Sequence, residues 1–247
     1  HKGWADDAEM GWPFRPGAKQ LEFISNLNAG LRASGSATHI HVRGEAGIGK
    51  TRLVLESTRD SGLQPLVLYT NRPAELLDGK FMATLTREDN HFAVILVIDE
   101  CNADHRTQIW NRLKTRGQRI KLVTIFNEWE DFSGVSILDA PLLERENIIQ
   151  IIEGYSLAKD QAERFADFCS GSPRVAHVVG FNLQKNPEAL LKPTVTVNIW
   201  ERYVVGSDTA NSSVVSDRFA VLRHLALFKR FGYGDPVSVE AKAVAAI

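Results

Sequence analysis

Eight consecutive residues, Gly44-Glu45-Ala46-Gly47-Ile48-Gly49-Lys50-Thr51, set three glycines ahead of a lysine and a hydroxyl. Glycines at that spacing let the backbone curl so that successive N–H groups converge on an anion at the positive end of the following helix. The lysine then reaches terminal phosphate oxygens and the Thr51 hydroxyl ligates Mg²⁺, with Arg52 next to them as a further cation. A glycine-rich turn that merely ends in Lys-Thr is the alternative. The strand pattern before the segment and the helix pattern after it favour the phosphate-binding reading.

Asp99-Glu100 forms a second constellation. It follows the unbroken apolar run AVILVI, Ala93 to Ile98, and so emerges at the carboxyl end of a buried strand, where ligands of open α/β sheets bind. Asp99 there holds Mg²⁺ through water, and Glu100 polarises an attacking water as a general base. Two acids ending a strand are common in isolation; beside the loop they acquire a purpose. His39 and His41 share one face of a strand, but no third ligand stands at metal spacing, so they read as packing or surface residues. Cys101 reads as a small core residue, and no nucleophile spacing is present.

These residues need a scaffold that brings a loop and a strand end together. THIHVRG (Thr38 to Gly44) alternates and stops at a glycine, a short strand entering a loop. A helix from Lys50 to about Arg59, a strand at Pro65 to Tyr69, a helix from Ala74 to about Arg87, a buried strand at Ala93 to Ile98, a helix from His105 to Arg116 and a strand at Lys121 to Phe126 follow. Alternating strands and helices predict an α/β fold, a three-layer domain with a parallel sheet, over 37–140. Residues 1–36 form a leader carrying Trp4, Trp12, Pro13 and Phe14, then a helix with Leu21, Ile24, Leu27 and Leu31.

After Ala140 the pattern is helical. Ala162, Phe165, Ala166 and Cys169 make one apolar stripe, Gly171 ends that helix, and Ser172-Pro173 starts another at N-cap and N1. Asn186-Pro187 repeats the start signal. A small helical domain is expected over 141–192, and a partial helical unit with Phe219, Leu222, Leu225 and Phe228 over 193–247.

The 247 residues are 44% hydrophobic and 24% charged, with a net charge of −1. That composition excludes a disordered tail, a collagen-like repeat and a strongly basic nucleic-acid-coating protein. Two cysteines, Cys101 and Cys169, are too few for a disulfide framework. With no membrane-length apolar run and no signal peptide pattern, a cytoplasmic location is expected. The start at His1 and the closing run Ala241 to Ile247 read as an excerpt of a longer polypeptide.

GEAGIGKTRL, VIDE, VTIFN (Val123 to Asn127), LDAPLLERENIIQII (Leu138 to Ile152) and GSPRVAHVVG (Gly171 to Gly180) together resemble the AAA+-like ATPases, and within them the STAND class of signal-transduction NTPases. The resemblance runs from about Trp12 to Leu191. It implies ATP or ADP with Mg²⁺ as cofactors and Asn127 as a polar probe of the γ-phosphate. It also implies Pro173 near the adenine and Arg174 as the lid's cation toward the nucleotide; a strand-end Asn and a helix-starting Pro are the plainer alternatives. Phe14 and Arg15 fit adenine-side contacts of the leader, although their spacing to Leu21 is longer than the family's; Trp12 is either part of this or a packing anchor.

Arg106, Arg112, Lys114, Arg116, Arg119 and Lys121 form a stretch without an acid. It reads as a solvated face, as an arginine finger, or as a nucleic-acid contact; the near-zero net charge weighs against a large nucleic-acid footprint. Three functions follow. One is a slow regulatory ATPase switch whose nucleotide state controls opening and self-association; the resemblance implies anti-phage defence, with an unknown activating ligand such as a phage protein sensed by regions outside this chain. The others are a ring-forming motor or loader on nucleic acid or protein, and a small-molecule kinase.

Overall fold

The computed structural model describes residues 12–34, 38–60, 62–127 and 134–185. Five parallel strands, β1 Thr38–Arg43, β2 Val67–Thr70, β3 Val94–Ile98, β4 Ile120–Phe126 and β5 Ser136–Asp139, form one sheet in the order β2-β3-β4-β1-β5. Helix α1 Ala18–Arg32 precedes β1, and α2 Lys50–Ser57 follows it. Helices α3 Pro73–Asp78 and α4 Lys80–Thr86 follow β2, and α5 Ala103–Leu113 follows β3. Because β1 lies beside β4, the loop after β1 and the ends of β3 and β4 open on the same edge of the sheet.

Alternation along the strands divides the core into two layers. Ile40 and Val42 of β1, Ile95 and Val97 of β3, and Val123 and Ile125 of β4 pack with Phe23, Leu27 and Leu31 of α1 and Leu53 and Val54 of α2. The opposite parity, Leu96, Ile98, Ile120 and Leu122, packs with Leu77, Met82, Leu85, Ile109 and Leu113 of α3, α4 and α5. Strand β3 is buried at every residue, as a strand covered on both faces must be.

Three expectations need correction. The inward face of α1 is Phe23, Leu27 and Leu31, an i, i+4, i+8 row, while Leu21 stays 55% exposed. The helix expected over Ala74 to Arg87 is two helices, because Gly79 takes extended backbone (φ −81°, ψ 153°) and glycine favours the helical well least after proline. Strand β5 has no counterpart in the sequence reading; it is four residues at the sheet edge beside β1, Ile137 and Leu138 half-buried between exposed Ser136 and Asp139.

Beyond the sheet come α6 Arg145–Glu153, α7 Lys159–Ala166 and α8 Pro173–Lys185. Ile148, Ile149, Ile151 and Ile152 of α6 are buried together with Ala162, Ala166 and Cys169. The chain divides into two compact units, His1–Gly180 and Phe181–Ile247. The sheet, α1 to α7 and the first turns of α8 belong to the first. In the second, the Lys185 ammonium lies 4.3 Å from the centre of the Phe181 ring. Trp4, Asn186-Pro187 and the unit expected over 193–247 lie outside the described residues. Among the described residues no helix is long and apolar enough to cross a membrane.

Candidate functional site

Strand β1 ends at Arg43, and the chain turns through Gly44 (φ 146°), Gly47 (84°) and Gly49 (93°) before α2 starts at Lys50. Left-handed backbone at Gly47 and Gly49 strains any residue with a Cβ, so the glycine spacing is a geometric requirement. Ile48 is buried and pins the loop to the domain. The Lys50 ammonium has three N–H donors, and the surroundings supply three acceptors: Gly44 O at 2.9 Å, Glu45 O at 2.8 Å and Asn127 Oδ1 at 2.7 Å. Burial pulls the Lys50 pKa down, and the Asp99 and Glu100 charges oppose it. The Glu45 side chain itself is exposed; the residue contributes its carbonyl.

Strand β3 delivers Asp99, whose N–H bonds Thr70 O at 2.9 Å. Its Oδ2 accepts from Thr51 Oγ1 at 2.6 Å and from Tyr69 Oη at 3.2 Å, and its Oδ1 from the Glu100 N–H at 2.9 Å. Because Thr51 uses its hydrogen toward Asp99, its oxygen lone pairs remain for a hard cation such as Mg²⁺, and the carboxylate is already oriented beside it. Thr51 and Asp99 therefore fit as the residues that would hold the metal. Glu100 stands in left-handed backbone (φ 53°), a conformation that costs a non-glycine residue about 1 kcal/mol or more. The Cys101 N–H bond to Ile125 O, 3.1 Å, fixes the chain just beyond it.

Tyr69 was not legible as a site residue. Burial and the Asp99 charge push its pKa well up, which keeps the phenol a donor. Its position at the carboxyl end of the strand beside β3 was the available signal, paired with Val97.

The start of α8 closes over the loop. Gly47 O accepts from the Arg174 N–H at 3.2 Å and from Ser172 Oγ at 3.1 Å. A Cβ at Gly47 would lie 3.1 Å from Arg174 Cβ, and one at Gly49 would lie 3.6 Å from Pro173 Cγ. The leader closes another side. Arg15 Nη1 donates to Gln150 O at 2.8 Å, and Gln20 Nε2 donates to Pro141 O and Leu142 O at 3.1 and 2.9 Å. Arg52 stands over the Phe14 ring at 5.4 Å and pairs with Glu56 at 2.7 Å. The Trp12 ring stacks on His177 at 4.9 Å and meets Tyr155 at 4.5 Å, while Tyr155 Oη lies 3.0 Å from His177 Nδ1.

Between these parts lies a cavity of about 570 Å³. Of the residues singled out in the sequence, Phe14, Arg15, Ala46 to Arg52, Asp99, Glu100, Asn127, Pro173 and Arg174 line it. Gly44 and Glu45 are off its wall and act through the Lys50 ammonium. Trp12 and His177 also line it, and His177 was not expected there. Burial, reinforced by Arg15, holds the His177 pKa below its ordinary value.

The basic stretch is a solvated face only in part: Arg112 and Lys114 are exposed, whereas Arg106 and Lys121 are buried. Arg106 is 1% exposed and its Nη1 lies 2.9 Å from His41 Nε2. His41 Nδ1 and His39 Nε2 each lie 3.0 Å from Thr124 Oγ1. Arg112 donates to Leu77 O at 2.7 Å, Arg119 to Leu85 O at 2.8 Å, and Lys121 to Ala33 O at 2.6 Å. Arg112, Arg119 and Lys121 thus satisfy backbone carbonyls with charge-assisted bonds, which are stronger than neutral ones.

No protein-family model matches the sequence, and no curated protein matches it. Solved structures do match by shape. Cdc6p from Pyrobaculum aerophilum superposes with a TM-score of 0.54 at 15% identity, covering 100% of this chain and 84% of that one. The Drosophila ORC bound to DNA gives 0.52 at 15% identity, with 87% and 68% covered. AMPPCP-bound DnaA from Aquifex aeolicus gives 0.51 at 14%, with 86% and 80% covered. The fold is that of the AAA+ P-loop NTPases. The loop after β1, the end of β3 and the end of β4 open on one cavity and carry Lys50, Asp99 and Asn127.

Proposed function

We propose that this chain is a STAND-class nucleotide switch: an ATP- and ADP-binding AAA+ protein with slow hydrolysis, whose nucleotide state controls opening and self-association. Residues 37–140 form the NTPase domain and 141–192 its lid. The observation that carries this reading is the Gly47 carbonyl, held by two donors from the start of α8, which joins the phosphate loop directly to the helical part. A ligand phosphate in the loop therefore changes the surface on which the lid rests, and differential contact with the two nucleotide states biases the lid's position.

Each residue has a task. Phosphate oxygens offer Lys50 charged acceptors in place of neutral carbonyls, a stronger bond. Thr51 and Asp99 hold Mg²⁺, which when bound neutralises charge on the phosphate chain. Glu100 accepts the proton of the attacking water, Asn127 links the γ-phosphate position to Lys50, and Arg174 contributes lid charge. Trp12 and His177 offer the flat surface for a base, with Phe14 and Arg15 supporting the leader. By the resemblance, the setting is cytoplasmic anti-phage defence and the activating ligand is recognised outside this chain.

A second reading, a motor or loader on nucleic acid, is favoured by the likeness to an ORC bound to DNA. Denaturing the purified protein and identifying the released nucleotide by chromatography separates the two. Tightly held ADP supports the switch. An empty protein with brisk, DNA-stimulated turnover that is lost in Arg116→Ala supports the motor.

A further inference from the structure

Ser172 sits where a helix cap and a domain contact meet in one hydroxyl. Its oxygen accepts from the Val175 N–H at 3.4 Å, the capping bond of α8, while its hydrogen is directed to Gly47 O at 3.1 Å. The same carbonyl takes the Arg174 N–H at 3.2 Å, a first-turn amide with no acceptor inside its own helix. Gly47 presents that carbonyl because its left-handed backbone (φ 84°) turns the peptide toward α8. The helix start is itself positioned by Gly171, whose carbonyl accepts from the Leu143 N–H at 2.9 Å and whose own φ is 75°. Pro173, between the two donors, has no N–H to contribute. The result is a two-pronged clasp, Ser172 hydroxyl and Arg174 amide, closing on one carbonyl of the phosphate loop.

We infer that the Ser172 hydroxyl is a latch between lid and phosphate loop whose opening sets the rate of nucleotide release. The inference rests on the nucleotide-switch reading above and specifies how that site is kept shut. Gly47, Pro173 and Arg174 line one side of the cavity, so widening it there for a nucleotide to leave requires that Gly47 O lose both donors together. Ser172 is a positioning residue in this scheme, since it touches the loop rather than the phosphate.

Cap and latch are separable by substitution. Ser172→Thr keeps both bonds. Ser172→Ala loses both. Ser172→Asp keeps the cap, because a carboxylate accepts from Val175 N–H, but sets an acceptor against the Gly47 carbonyl. Release of a fluorescent ADP analogue, followed after mixing with excess unlabelled ADP, should be about fivefold faster in Ser172→Ala, the factor for one ordinary hydrogen bond. It should be at least as fast in Ser172→Asp and unchanged in Ser172→Thr. Release from Ser172→Asp at the parent rate would overturn the latch and leave only a cap. Hydrogen exchange at the Arg174 amide in nucleotide-free protein reads the clasp without any ligand. Its protection should fall about tenfold in Ser172→Asp and hold in Ser172→Thr; equal protection in both overturns the inference. A parent protein that binds no analogue while Arg174 exchange responds as expected overturns the nucleotide-switch reading instead and leaves the clasp standing.

Discussion

The Lys50 ammonium, at the first residue of α2, donates to the Asn127 side chain at the end of β4 across 2.7 Å. One bond thus ties the phosphate loop, which follows β1, to the end of the neighbouring strand β4, and makes the lysine's placement depend on both. Burial already disfavours its charge, so an anion that replaces the neutral carbonyl acceptors gains directly. Lys50→Ala should lower ADP affinity by about 3 kcal/mol, the upper end for hydrogen bonds to a charged group, roughly a hundredfold. Isothermal titration with ADP checks this; affinity within twofold of the parent removes Lys50 from the site.

Glu100 is exposed on the cavity wall and is held in left-handed backbone by bonds at Asp99 and Cys101. Glu100→Gln preserves size and backbone while removing the carboxylate proposed as the base. ATP should stay bound and its cleavage should slow by about 100-fold or more, the range for loss of a general base. Single-turnover phosphate release measures it, and cleavage at the parent rate refutes the assigned role.

Tyr69 donates to the same Asp99 oxygen that Thr51 uses. Outer partners of this kind orient a metal-holding carboxylate, and their loss weakens metal affinity by about 10-fold or more. Tyr69→Phe should raise the Mg²⁺ concentration needed for half-maximal ATP retention by about that factor, with ADP binding in EDTA unaffected. An unchanged Mg²⁺ requirement counts against the outer-partner role.

What could be seen in the sequence, and what could not, follows from the range of each signal. The phosphate loop is local: glycine positions, lysine and threonine are contiguous, and the AVILVI run announces a strand covered on both faces. Pro173 and Gly171 likewise mark a helix start and stop by their own backbone preferences. Tyr69 becomes relevant only once β2 pairs with β3, which no spacing states. Strand β5 is too short and too polar to carry a period. Arg106 shows the limit most clearly, because charge predicts solvent unless the partner is known, and its partner His41 lies 65 residues away on another element.

That buried guanidinium should matter for stability. Arg106→Leu removes the donor to His41 in the α5-side layer, where an unsatisfied polar group is costly, and should destabilise the fold by about 3 kcal/mol. For a chain of this size that is a fall in melting temperature of roughly 6–12 °C. Arg72→Ala, in an ion pair with both side chains 69% exposed, should shift it by no more than about 2 °C. Equal melting temperatures for the two variants would place Arg106 outside the core network.

The histidines beside Arg106 give the fold a pH dependence of definite sign. Burial, with His41 and Arg106 adding to it, pulls His39 from 6.5 to about 3. The unfolded chain therefore binds more protons than the folded one as pH drops below 6.5, and stability present at neutral pH is lost on acidification from 6.5 toward about 3. The slope is about 1.4 kcal/mol per pH unit once the free imidazole is protonated. His177, also shifted down by burial and by Arg15, acts in the same direction. His39→Gln can still bond Thr124 but does not titrate, so its urea midpoint should fall less than the parent's between about pH 6 and about pH 5, by about 1 kcal/mol in free energy. Parallel pH profiles for parent and variant would mean that His39 carries its proton in the folded protein.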